Sequence, residues 1–328
     1  MTQASDIHVT TVDDVFDMAD CSIPNNPGTD GLISLREAVC IANSAKGADT
    51  VHLPAGDYGL SLGQPSEDLN LEGDLDITDA IHFMGDNPLS TRITSNIGLP
   101  SIDGAGDRIF EVLDNNNGTN LTIENITLTG ADLGCTAVDC VSGGGVIHYN
   151  NTGTISLINT VLENNQSSCI GNDCGDPKNS GVLTMLQGGE LTLTGSSIKN
   201  NKNFCQPDTL PFNKGGFPPC YAGTTVLYVQ NGKLGSGFKF TVTQSEITQN
   251  SGQCLSENCD VGDLINIYED IDYADMIFSQ FTLSDNSLHC EGTDCSVGSL
   301  FYSRASQANL LAQSFFVNNN TLSCTGKY

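Results

Sequence analysis

Sulfur is the first element in this sequence that could do chemistry: the chain carries thirteen Cys among 328 residues. Four pairs have the spacing Cys-x4-Cys, namely Cys135/Cys140, Cys169/Cys174, Cys254/Cys259 and Cys290/Cys295. In a fifth pair the second sulfur is delayed, from Cys205 to Cys220. Thiolates at such intervals either hold a metal or close disulfide loops. Zinc pairs usually leave two to four intervening residues and recruit His, and this chain has only five His. Disulfides are therefore the expected chemistry, with thiolates of stacked pairs sharing a metal as the other reading. A ring that short contributes about 2 kcal/mol by the chain-entropy estimate. Cys21 and Cys40 remain near the N-terminus and are expected to pair with each other, whereas Cys324 has no downstream partner before Tyr328.

Other catalytic combinations are sparse. Enzymes that cleave acidic polysaccharides combine clustered carboxylates with Ca²⁺ and an Arg base, or pair two carboxyl groups. The arginines here are Arg36, Arg92, Arg108 and Arg304, and no Asp or Glu lies between Val297 and Asn320, around Arg304. Arg36 falls in a helical segment, and Arg108 in a strand-like run, Asp107-Arg108-Ile109-Phe110, that reads as structural. His8, His52, His82, His148 and His289 are scattered, and no Ser sits in a Gly-x-Ser-x-Gly elbow. His148 alternates with apolar neighbours in Val146-Ile147-His148-Tyr149 and is expected on an exposed face. Two acidic stretches could hold Ca²⁺: Asp13, Asp14, Asp17 and Asp20, and Glu269, Asp270, Asp272 and Asp275. Neither follows an EF-hand or nonapeptide calcium pattern, so both read as solvated acidic faces. No catalytic residue, metal site or cofactor is expected, Ca²⁺ being the one candidate.

The rest of the composition agrees. Asp plus Glu outnumber Lys plus Arg by 39 to 12, for a formal net charge of -27. That excess argues against nucleic acid and anionic membrane as partners, because both require a basic footprint. No apolar run reaches the roughly 18 residues that span a bilayer. Abundant cysteine in matched spacings points to an oxidising, extracellular compartment. The start, Met1-Thr2-Gln3-Ala4-Ser5-Asp6, lacks the charged and apolar regions of a signal peptide, so a mature chain with an added Met is expected.

These sulfurs are positioned by a repeat. Five segments read aliphatic-x-x-Asn-x-x-x-Cys: Leu162/Asn165/Cys169, Ile198/Asn201/Cys205, Ile247/Asn250/Cys254, Leu283/Asn286/Cys290 and Val317/Asn320/Cys324. Their cysteines recur after 34 to 36 residues, and after 49 where the Cys205 loop is enlarged. Each unit also holds a small-residue turn with a short apolar strand, such as Gly144-Gly145-Val146-Ile147, and an alternating strand, such as Thr154-Ile155-Ser156-Leu157-Ile158. Three short strands and three turns per unit predict one coil of a right-handed parallel β-helix, an all-β solenoid. Coils stack about 4.8 Å apart, so equivalent side chains form columns. The column Asn165, Asn201, Asn250, Asn286 and Asn320 is expected to face inward as an amide ladder that satisfies turn groups.

A solenoid needs atypical ends to cover its first coil. Ser34-Leu35-Arg36-Glu37 is a capping box that predicts a helix over 34–45, ended at Lys46-Gly47. The expected organisation is a cap over residues 1–60 and a β-helix over 61–328, with cysteine-looped coils from 131 onward. The last unit stops after Cys324, so a longer natural chain is expected. The enlarged loop from Gln206 to Pro219, with Phe212 and Phe217, breaks register and is the expected contact loop.

Ser34-Leu35-Arg36-Glu37-Ala38-Val39, with Val9-Thr10-Thr11-Val12-Asp13-Asp14 before it and Leu53-Pro54-Ala55-Gly56-Asp57-Tyr58 after it, resembles the CSLREA domain of bacterial secreted β-helix proteins. The likeness covers roughly residues 6–130; Ile33 stands where the family has Cys, and Cys40 lies inside the helix. The Gly144-Gly145-Val146-Ile147 and Leu162-x-x-Asn165 elements are similar to polymorphic outer-membrane-protein repeats, with aliphatics in place of Phe. Together the traits resemble the rhombotarget A type of CSLREA protein. That resemblance implies export by a Gram-negative cell, with secretion machinery and a rhomboid-type processing protease as partners. The expected role is a non-enzymatic surface protein that presents disulfide-closed loops to an unidentified ligand or protein. A structural stalk and a polysaccharide lyase or hydrolase are the alternatives.

Overall fold

In the computed structural model the chain winds into a parallel β-helix whose strands recur on successive coils. The structure describes all residues except 1–3, 24–26, 64–68, 96–106, 114–117, 136–143, 171–180, 207–219, 231–236, 257, 269–270 and 327–328, and the side chains at 134, 135, 169 and 170. Among the described residues the strands form sheets of fifteen, seven, six and three members, paired in parallel between coils. The largest sheet doubles back on itself, because strand Tyr273–Ser284 belongs to both of its arms.

A coil contains more than the three strands that the repeat predicts. In one coil the elements are Thr154–Ile158, Val161–Glu163, Gln166–Ile170 and Leu183–Met185. The extra break has a local cause. Asn159, Gly195, Gln244, Gln280 and Ser314 all take positive φ, between 46° and 61°, at equivalent corners one coil apart. A second column of left-handed residues, Asn164, Asn200, Gln249, Asp285 and Asn319, turns the chain again a few residues later. Asn suits this conformation better than most residues with a Cβ, which explains its abundance. In the earlier coils these two bends divide the run into short strands, whereas Tyr273–Ser284 and Gln307–Asn318 continue through the first bend.

The interior is a continuous apolar column. Ile123, Leu157, Leu193 and Val242 lie over one another on successive coils and are fully buried. Burying such side chains contributes roughly 1.5–3 kcal/mol each and supplies the main drive for stacking. Towards the last coils the column becomes aromatic, with Phe278 and Phe315 ring centroids 5.3 Å apart and Phe281 stacked on Phe315 at 5.2 Å.

One helix, Leu35–Ser44, lies over the first coil, burying Leu35, Ala38, Val39, Ile41 and Ala42. Ser34 caps it: its hydroxyl accepts from the Glu37 backbone, and the Glu37 carboxylate accepts from the Ser34 N–H. The helix ends at Ala45 in extended geometry, two residues before Gly47. At the opposite end, strands Gln307–Asn318 and Thr321–Thr325 have a neighbour on one side only. There Leu310, Leu311, Phe316, Val317 and Leu322 are all between 47 and 67% exposed.

Candidate functional site

Three arrangements of polar or reactive side chains stand out: an amide ladder, a sulfur column and a buried charged cluster. In the ladder, Asn165, Asn201, Asn250, Asn286 and Asn320 pass one hydrogen bond upward from Nδ2 to the next Oδ1, at 2.9–3.0 Å. Each Nδ2 also donates to a carbonyl of the preceding coil, those of Leu128, Leu162, Ile198, Ile247 and Leu283. The Oδ1 atoms accept a second bond from the backbone N–H of the Asn below. In Asn201, Asn250 and Asn286 both amide donors and both acceptor sites are used, as a structural ladder requires. A hydroxyl ladder at the other corner was not foreseen: Thr160 donates to Ile123 and Ile158 carbonyls, and its N–H donates to Ser196 Oγ at 3.1 Å. Ser196 N–H continues to Ser245 Oγ at 3.0 Å. Its sequence signal is a Ser or Thr two residues after the strands Thr154–Ile158, Gly189–Thr194 and Phe238–Thr243.

The sulfur column runs along one flank. Cys135, Cys169, Cys205, Cys254, Cys290 and Cys324 occupy equivalent positions on adjacent strands, and Cys220, Cys259 and Cys295 form a second file. Disulfides join Cys205 to Cys220, Cys254 to Cys259 and Cys290 to Cys295, each within one coil, and Cys21 to Cys40 of the helix. Cys324 is free and exposed. Sulfurs of Cys205, Cys220 and Cys254 lie within 4.8 Å of one another, as do those of Cys290, Cys295 and Cys324. All three sulfurs of the first group and two of the second are oxidised, so these groups are disulfides packed on a neighbouring sulfur rather than thiolate ligands. Cys140 and Cys174 lie outside the described residues, as do the side chains of Cys135 and Cys169. The contact-loop residues Phe212 and Phe217, and Glu269 and Asp270 of the second acidic stretch, also lie outside them.

The charged cluster is built by the first coils. Arg36 projects from the capping helix and is fully buried. Its Nε and Nη2 donate to Asp14 at 2.9 and 3.2 Å, and its remaining donors reach the carbonyls of Glu72, Gly73 and Asp74. Asp14 was expected on a solvated acidic face. Its side chain is instead 2% exposed, because the helix brings the guanidinium onto it, and it also accepts from the N–H groups of Ser61 and Leu62. Asp17 and Asp20 do lie at the surface, held by Thr29 and Ser22 respectively, bonds that lower both pKa values.

Next to Arg36, strands Leu75–Ile77 and Phe110–Val112 set Asp76 beside Glu111, and Ile147–Tyr149 sets His148 beside Glu111 on the other side. Arg108 lies 3.0 Å from Glu111, 3.3 Å from Asp74 and 3.9 Å from Asp107. Burial raises the Asp74 carboxyl well above the usual range, and the nearby Asp107 pushes it further. His148 corrects another expectation: its side chain is 14% exposed, not solvated. Burial, with Arg108 nearby, holds its imidazole neutral, with a pKa near 3. The alternation around His148 is genuine, yet this sheet is covered on both faces, as shown by buried Asp76, Thr184, Tyr228 and Asn266 in the same outward row.

A polar groove of about 450 Å³ follows the hydroxyl corner, lined by Ser197, Gln244, Glu246, Gln280 and Thr282 among others. Ser197 donates to Glu246 at 2.8 Å, and no Arg, His or second carboxylate lines it. The groove therefore lacks the acid–base pair or Arg base of the polysaccharide-cleaving enzymes.

The architecture defines a disulfide-bonded parallel β-helix. No protein-family model, curated protein or solved structure matches this chain.

Proposed function

We propose that this chain belongs to a secreted or surface-bound protein of a Gram-negative bacterium, a non-enzymatic β-helix that holds disulfide-closed loops out to a partner. The observation that carries this reading is the sulfur column. Disulfides recur at the same flank of successive coils and tie each loop back to its own coil. Such repetition suits an oxidising exterior and fixes loop bases along a rigid rod. Among the described residues no helix is long and apolar enough to cross a membrane. The CSLREA-like entry sequence and the repeat type support export, and the rhombotarget A likeness supports processing by a rhomboid-type protease. Attachment as a bare stalk is the neighbouring reading, differing only in whether the loops touch anything.

Loop exchange separates these readings. Replacing residues 206–219 by four residues restores the Cys-x4-Cys spacing of the other coils. The labelled parent is expected to bind cell surfaces, and the exchanged form, with unchanged circular dichroism, is expected to lose most of that binding. Equal binding by both forms would remove the contact role of this loop. Release of reducing or unsaturated ends from polyuronates would replace the binding reading with a lyase or hydrolase.

A further inference from the structure

We infer that Asp74, Asp76 and Glu111 form a calcium site packed beneath the N-terminal cap. Parallel pairing places Asp76 directly beside Glu111, and Asp74 lies on the same stretch two residues earlier. One carboxylate oxygen from each of the three falls within 4.8 Å of the others. That spread matches oxygens sharing an ion at about 2.3–2.6 Å. Asp74 and Asp76 are 2% and 1% exposed, and the Glu111 side chain is 18% exposed.

Two further observations point to a missing cation. First, Asp74 Oδ2 is buried and accepts no hydrogen bond, although Arg108 Nε stands 3.3 Å away. Arg108 in turn donates no well-aligned bond from Nε or Nη1. Their attraction is charge proximity without hydrogen-bond geometry, an unfavourable state for buried ions. Second, among the described residues this cluster holds more carboxylates than guanidinium groups. Asp74, Asp107 and Glu111 pair with Arg108 and Asp76 lies near enough to act on it, while Arg36 is already committed to Asp14. His148, 3.8 Å from Glu111, has a buried Nδ1 without a hydrogen-bond partner. A divalent ion would neutralise the excess and occupy the orphaned oxygen. Three carboxylates favour Ca²⁺, which tolerates irregular geometry, over Mg²⁺, which keeps its water octahedron. This inference does not depend on the loops or on their partner.

The test uses the full chain after chelation, with Ca²⁺ itself as probe. Equilibrium dialysis should find one bound Ca²⁺ per chain, with a Kd of about 10⁻⁴–10⁻³ M, typical of extracellular modules. At ten times that concentration the Tm should rise by roughly a few degrees. Asp76→Asn and Glu111→Gln should each weaken binding at least tenfold while keeping shape. Because either change also relieves buried charge, dialysis rather than Tm decides for the variants. No bound Ca²⁺ at 10 mM, full stoichiometry retained in both variants through the surface carboxylates, or preference for Zn²⁺ would each overturn the assignment.

Discussion

At the N-terminal end, the groups packed beneath the cap carry full charges: Arg36 is bonded to Asp14 and three carbonyls, and Arg108 stands 3.0–3.9 Å from three carboxylates. In the later coils neutral amides and hydroxyls stand in their place, with Asn201 bonded to Asn250 and Ser196 to Ser245. The difference follows from repetition. A column of like charges 4.8 Å apart repels itself, so a charged solution can be used once, at an end, but not on every coil. An amide both donates and accepts, so it propagates indefinitely. The helix covers the first coil, whereas the last described strands expose Leu310, Phe316 and Leu322 on a side with no paired strand among the described residues.

If this contrast is right, the largest loss should come from the charged end. Arg36→Ala leaves Asp14 buried without its counter-ion and should cost about 3–5 kcal/mol in denaturant unfolding. A cost below about 1 kcal/mol would mean that the guanidinium is decorative. Asn201→Ala comes next, orphaning the Leu162 carbonyl and the Asn165 donors, with an expected cost of about 1–3 kcal/mol. Asn320→Ala should cost less, since Asn320 is only half-buried at the open end. Equal losses at both positions would contradict a ladder whose members depend on neighbours.

Replacing Cys254 and Cys259 together by Ser should cost about 2 kcal/mol, as expected for a short ring. Asp49→Asn sharpens the comparison through pH. Burial raises the Asp49 carboxyl, so the folded chain binds that proton more tightly than the unfolded one. Its favourable contribution is complete below the ordinary value of 3.8 and is lost as pH rises through the folded value. The Asn variant should therefore gain on the parent across that rise and then run parallel to it; melting curves at stepped pH check this. Smallest in stability is Leu310→Ser with Phe316→Ser, which should leave Tm almost unchanged but reduce self-association in sedimentation velocity.

The fold was legible because the repeat is written in residues with few alternatives. Cys and Asn at fixed offsets from an aliphatic position imply stacking, and the Ser34/Glu37 capping box marks the lid. The corner column at Asn159, Gln244 and Gln280 was hidden because no single residue type occupies it. His148 and Asp14 were misread for a shared reason. Alternation and local acidity report which way a side chain leaves its strand, not what later packs over it. The carboxylates of Asp74, Asp76 and Glu111 are up to 37 residues apart in sequence, and only coil stacking unites them.

Disulfide mapping by mass spectrometry on unreduced, protease-cleaved protein tests the central claim most directly. Neighbouring coils bring sulfurs close enough that links between coils are a real alternative. Register stacking with loops closed inside each coil predicts peptides joining Cys205 to Cys220, Cys254 to Cys259 and Cys290 to Cys295, with Cys324 alkylated. Peptides joining Cys254 to Cys290, or most sulfurs found as free thiols, would contradict it.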